Sequence, residues 1–191
     1  MTDSRLTPLI EYAYQAGATG VVVMSASDIG VQDHLANRCR EPRCENYGLS
    51  KSCPPHVAGP SSFRTLIREF KQALFFKIDV PSDILLSSNQ REIFRLLHET
   101  AAGIEITARS MGFERARAFA GSSCKQIFCE EHLFCSAISE NGECRNPDKA
   151  RPSMSGFGIN VSSLVKMAGW TMESNLEGTR MMGVYGLVLI D

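Results

Sequence analysis

All seven cysteines of this chain fall in two short blocks. Cys39, Cys44 and Cys53 lie in CREPRCENYGLSKSCPPH, and Cys124, Cys129, Cys135 and Cys144 lie between Gly121 and Met154. Any fold for this sequence must therefore carry two thiol-rich segments on a scaffold with no cysteine of its own. In a reducing compartment disulfides are rare, and clustered cysteines bind metals or do redox chemistry. Seven is also odd, so a fully paired disulfide framework would leave one thiol over.

The compartment follows from what the rest of the chain lacks. No apolar run approaches the roughly 20 residues of a membrane span. The start, MTDSRLTPLIEYAYQAG, has neither the cationic end nor the apolar run of a secretory signal. A cytoplasmic protein is expected. With 20 basic and 21 acidic residues, no general attraction to nucleic acid or membrane is indicated. The 191 residues fit a single domain, residues 1–191, with cysteine-rich loops at about 36–58 and 121–154.

Around those loops the pattern alternates. Thr7-Pro8 reads as a helix start, with Leu9, Ile10, Ala13 and Tyr14 at helical spacing and Gly17 as the stop. GVVVMSA (20–26) is a β-branched run expected to be a buried strand. Pro60-Ser61-Ser62 opens a helix whose Phe63, Leu66, Ile67 and Phe70 form an apolar stripe. A strand over 73–80 and a long helix over about 90–111 follow. That helix has Ile93, Leu96, Leu97, Thr100, Ala101, Ile104 and Ala108 on one face, and His98 one position off it. Strands over 113–120 and 184–190 flank a short helix capped by Asn160. Strand–helix–strand units favour parallel crossovers, which predicts an α/β fold. Its sheet of about four strands would be mainly parallel or mixed, with helices covering it. Each block follows a strand and precedes a helix, so the two blocks are expected to be neighbours at one sheet edge.

Spacing bears on the metal. Successive cysteines of the second block are separated by four, five and eight residues. Four thiolates suit a tetrahedral zinc or an iron–sulfur cluster. Zinc is bound most often by two close cysteine pairs, and only Cys124 with Cys129 fits that pattern. A cluster is larger and takes ligands from a longer wrapping loop, so the spacings favour iron–sulfur. The first block offers three thiols, and Cys53-Pro54 matches the Cys-Pro of some iron–sulfur loops. A fourth ligand there could be His34, His56 or a carboxylate, of which His56 in CPPH is nearest to the cysteines. Alternatively the block shares ligands with the second, or holds a cluster with one open iron. His132 could replace a cysteine of the second block. Arg38, Arg40, Arg43 and Lys51 are placed to lower thiol pKa values, and Arg145 and Arg151 to tune charge or order the second loop. Arg151-Pro152 reads equally as a plain turn. No phosphate-binding glycine loop, nucleophile elbow or HExxH is present, and a Cys–His nucleophile would leave the other cysteines unexplained.

The run C-x4-C-x2-YG-x4-CPP at 39–55 resembles a bacterial and archaeal family of unknown function described as predicted metal-binding proteins. Cys144-Arg145-x-Pro147, Arg151-Pro152-Ser153-Met154 and Gly158-Ile159-x-Val161 extend the resemblance over roughly 20–170. Ser155 stands where that family commonly has an acidic residue. The resemblance implies metal or cluster binding through the cysteines, in anaerobic metabolism, without implying a reaction. The expected protein carries one or two iron–sulfur clusters, four-iron in type, and serves electron transfer to a redox partner protein or an accessory redox step. Cys124, Cys129, Cys135 and Cys144 would hold one cluster and Cys39, Cys44 and Cys53 the other. The alternatives are a zinc-stabilised structural module and an enzyme acting at an open iron of the three-cysteine site. Oligomeric state is not legible.

Overall fold

The computed structural model describes residues 3–139 and 142–191, so positions 140 and 141 of the second cysteine block lie outside the described residues. In chain order the elements are α1 (Thr7–Gln15), β1 (Gly20–Ser25), α2 (Asp33–Asn37), α3 (Gly59–Leu66), β2 (Gln72–Pro81) and α4 (Ser82–Leu85). Then come α5 (Gln90–Ser110), β3 (Arg117–Phe119), α6 (Cys124–Phe128), α7 (Ser136–Ser139), α8 (Val161–Met167), β4 (Glu173–Leu176) and β5 (Thr179–Ile190).

The strands form one sheet in the order β1-β2-β5-β3, with β4 also paired to β5. Every ladder is antiparallel, which corrects the parallel or mixed four-stranded sheet expected from the sequence. The expectation failed for a physical reason. Continuous apolar runs such as ALFF and GLVLI signal burial on both faces, and two-faced burial is most familiar in parallel sheets. Here helices cover both faces of an antiparallel sheet. Leu74, Phe76, Val188 and Ile190 pack with Leu9, Leu97 and Ile104 of α1 and α5. Their neighbours Phe75, Leu187 and Leu189 pack on the other side with Phe63, Phe157 and Leu164. The expected crossover survives in part: β2 and β3 run the same way, but β5 is inserted antiparallel between them. The exposed hairpin strand β4 was not anticipated, because ESNL has no apolar alternation to read.

Helix boundaries follow local chemistry. The start of α1 differs from expectation: Leu6 is the N-cap, and Asp3 instead accepts from Arg5 N to cap a 3-10 turn at Ser4–Leu6. Asn160 does cap α8, accepting from Ser163 N at 3.0 Å. Residues 38–58 consist of turns and bends. The second block is more than a loop, because it contains α6 and α7.

Two backbone straps bring the blocks together. Ala120 N donates to Pro152 O at 3.0 Å, Met154 N to Ala120 O at 2.9 Å, and Ser153 N to Ser52 O at 3.0 Å. The chain leaving the second block is thus pinned between the end of β3 and the first block. A few residues on, Gln32 N donates to Gly158 O at 2.8 Å and Asn160 N to Gly30 O at 2.9 Å. Gly158 has φ +68°, and a Cβ there would collide with the Gln32 carbonyl, so both the turn and the close approach need glycine. The expected proximity of the blocks is therefore real, though its cause is this strap and not parallel strand ends.

Candidate metal centre

The seven thiols line two adjoining cavities. Cys39, Cys44 and Cys53 line the first, of about 120 Å³, with Asn46, Tyr47, Pro54 and four serines, Ser122, Ser123, Ser153 and Ser155. Cys124, Cys129, Cys135 and Cys144 line the second, of about 20 Å³, with Ser50, Lys125, Phe128, Ser136, Arg145, Asn146 and Ala150. The grouping is the one the sequence blocks suggested. Both blocks contribute to each cavity wall, since Ser122 and Ser123 face the first and Ser50 the second.

The partition between the cavities is a buried polar seam. Ser52 Oγ lies 2.8 Å from Cys124 Sγ and 3.0 Å from Ser50 Oγ, and Ser50 Oγ lies 3.5 Å from Ser123 Oγ. On the far side, Asn146 donates through its backbone N to Cys144 Sγ at 3.4 Å and through Nδ2 to Cys129 Sγ at 3.3 Å. N–H donors aimed at sulfur stabilise thiolates and tune any metal they hold. Neither Ser52 nor Asn146 stood out in the sequence, because nothing in spacing marks which polar neighbour of a cysteine will turn toward its sulfur.

Electrostatics correct one expectation. Arg38, Arg40, Arg43 and Lys51 are solvent-exposed, and Arg43 stacks over the Tyr47 ring. Burial pushes the Cys124 thiol up to about 11, against the lowering effect of the Ser52 and Ser50 hydrogen bonds. Cys39 is also raised, by burial first and then by the neighbouring Cys44 and Cys53. Metal binding at Cys124 or Cys39 would have to expel a proton that burial makes harder to lose.

The histidines are placed away from the thiols' cavities. His56 Nε2 is 3.3 Å from Gly48 O, a contact inside its own loop, and His34 and His132 are exposed. None of the three lines either cavity. Among the described residues, no three His, Cys, Asp or Glu side chains converge to hold a single metal ion. The thiols surround cavities without meeting at a point.

The residue that organises the second block is one the sequence treated as peripheral. His98 is fully buried, and its ring spans both ends of the block. Its Nε2 donates to Gly121 O at 2.9 Å, and its Nδ1 accepts from Arg151 N at 3.1 Å. This fixes the neutral Nε2–H tautomer. Arg151, only 7% exposed, is far from a plain turn. Its guanidinium donates to Pro147 O at 2.9 Å and Ala150 O at 2.8 Å. Its Nε lies 3.2 Å from Glu105 Oε2, an ion-pair contact without an aligned hydrogen bond. Glu105 is itself 5% exposed, accepts from Ala118 N at 2.5 Å and pairs with Arg109 at 3.2 Å. The readable signal was the spacing of His98 and Glu105, two polar residues seven apart beside the apolar stripe of α5. Arg145 holds Phe134 O at 3.1 Å and so orders the loop before Cys135, as expected of a loop-ordering residue.

Two thiol-lined cavities thus lie side by side on a helix-covered α/β sheet. The chain matches the family model described as "Predicted metal-binding protein (DUF2284)" over residues 22–190, and it belongs to that family. No curated protein and no solved structure matches it. No helix among the described residues is long and apolar enough to cross a membrane.

Two predictions follow from the clamp. Replacing Arg151 with Met leaves Glu105 buried beside only a half-exposed partner, Arg109, and should cost about 3–5 kcal/mol of stability in denaturant unfolding. The double variant Arg151→Met/Glu105→Met should recover part of that loss. For His98, burial first and Arg151 second depress the folded pKa to about 4, against an unfolded value near 6.5. The unfolded state then binds the extra proton between those values, so stability is complete above pH 6.5 and falls toward pH 4. The loss should total about 3 kcal/mol. Urea unfolding across that range should show this slope, and His98→Gln should flatten it; equal slopes in both proteins would contradict the assignment.

Proposed function

We propose that the chain binds two four-iron iron–sulfur clusters and passes electrons to a redox partner protein in the cytoplasm of an anaerobically metabolising cell. The observation that carries this reading is the division of seven thiols, three and four, over two cavities that share a wall. Cys124, Cys129, Cys135 and Cys144 are the complete thiolate set of one cluster, and Cys39, Cys44 and Cys53 the incomplete set of the other. A single zinc needs its ligands about 2.3 Å from one point, whereas a cluster spreads its thiolates around a body several atoms wide. Among the described residues no three donors meet at one point, which fits the second requirement better. The donor chemistry agrees, since Asn146 and Ser52 place N–H and O–H groups on three of the four sulfurs of the second block. Such hydrogen bonds set cluster potentials. The clusters would supply reversible one-electron transfer, and their proximity would let an electron move between them.

Membership of a predicted metal-binding family supports metal and leaves its type to chemistry. Anaerobically purified protein should contain about eight irons and eight acid-labile sulfides, with a broad band near 400 nm that bleaches with dithionite. Cys44→Ala, at the exposed thiol of the first block, should remove about half of the iron. Zinc without sulfide or colour would overturn the reading and leave a structural metal module.

A further inference from the structure

The edges of the sheet are finished differently. At the β3 edge the outward N–H of Ala118 donates to Glu105 Oε2 at 2.5 Å, and Ala120 N donates to Pro152 O at 3.0 Å. The hairpin strand β4 is four residues long and carries the charged Glu173, and shortness and charge are two devices that blunt an edge. β1 ends the sheet on the other side with neither a cap nor a charge.

Register shows which groups β1 leaves open. Ala26 N donates to Lys71 O at 3.1 Å, and this pair continues the ladder in which Gly20 faces Lys77 and Ser25 faces Gln72. Bonded and non-bonded pairs alternate along an antiparallel ladder. Gly20, Val22 and Met24 therefore aim their N–H and C=O at β2, while Val21, Val23 and Ser25 aim theirs away from the sheet. The far side of β2 gives the same parity. Gly183 N donates to Met172 O, so β5 turns Gly186 and Val188 toward β2, which leaves Ala73 and Phe75 for β1. Among the described residues no hydrogen bond meets the outward backbone groups of Val21, Val23 or Ser25. From Thr19 to Ser27 the chain has no charged residue and no proline.

We infer that β1 pairs antiparallel with β1 of a second copy of this chain. The inference does not depend on which metal the thiols hold. Placing Val23 of one copy opposite Val23 of the other sets Val21 opposite Ser25 on each side. These are the residues whose N–H and C=O face outward, so each facing pair exchanges two bonds. In the same register Val22 falls opposite Met24, and no like charges meet. The two five-stranded sheets join into one. Both core layers continue across the join, since Val21 and Val23 pack on the Leu74 side and Val22 and Met24 on the Phe75 side. An extended peptide of another protein is disfavoured, because such ligands are read through pockets for alternate side chains. Neither thiol-lined cavity and neither adjoining groove includes a β1 residue.

The test is analytical ultracentrifugation of the full chain, kept anaerobic and reduced so that no thiol crosslink contributes. It is paired with residue-resolved amide hydrogen exchange on dilute and concentrated samples. A strand pairing of this length buries less than a standard interface, so a dimer dissociating at roughly 1–100 µM is expected. The Val21, Val23 and Ser25 amides should exchange at least about tenfold slower in the concentrated sample. Val23→Pro deletes an N–H that β2 does not use and places proline inside the joined sheet, so the dissociation constant should rise more than about tenfold. Val23→Ala trims the same side chain but keeps the N–H, and should dimerise within about threefold of the unaltered protein. If Val23→Pro fails to fold, exchange in the unaltered protein decides alone. A monomer at all concentrations, or a dimer whose β1 amides exchange equally fast in both samples, would overturn the inference. So would a Val23→Pro dimer of unchanged affinity.

Discussion

A guanidinium taken out of water has to be matched, and much of the candidate site depends on how Arg151 is matched. Removing such a charge from solvent costs several kcal/mol unless partners surround it. Glu105 supplies the opposite charge, Pro147 and Ala150 supply carbonyls, and His98 takes the backbone N–H of the same residue. The backbone after Arg151 therefore has one place to go. It runs beside the end of β3 and against Ser52, which sets the first cysteine block on the second. The same His98 ring holds Gly121 at the other end, so entry and exit of the four-cysteine segment are fixed on one helix. A rigid frame of this kind lets loops with little regular structure keep thiols at set positions.

The frame produces two unlike cavities from similar raw material. Cys124 and Cys53 are both buried, with Ser52 between the blocks and bonded to Cys124 Sγ. Beyond that partition the first cavity shares Asn46, Ser122 and Ser155 with neighbouring grooves, and on the second side Cys129, Cys135 and Cys144 are each partly exposed.

Much of the fold was legible as local pattern. The stripe on α5, the Asn160 cap and the β-branched run of β1 all declare themselves within a few residues. Strand direction did not, because ALFF and GLVLI record burial on two faces and say nothing about the sense of the neighbouring strand. At the site, the cysteine grouping was legible because the cysteines of one block share one stretch of chain and line one cavity. Asn46, Ser52, His98 and Glu105 were not. Their roles depend on partners far along the chain: Ser52 on Cys124, His98 on Arg151, Asn46 on Gln126. His98 shows the difficulty best, since one position off an apolar stripe is the boundary of an isolated helix but the interior of a helix covered on a second side.

The central claim is that two clusters sit side by side across the Ser52–Cys124 partition. Electron paramagnetic resonance of the fully dithionite-reduced protein tests it most directly. Two paramagnetic clusters at that proximity should broaden and split each other's signal. A variant lacking one cluster, such as Cys135→Ala, should show a single simple spectrum. A fully reduced protein with two clusters whose signals merely add, without mutual broadening, would contradict the adjoining-site account.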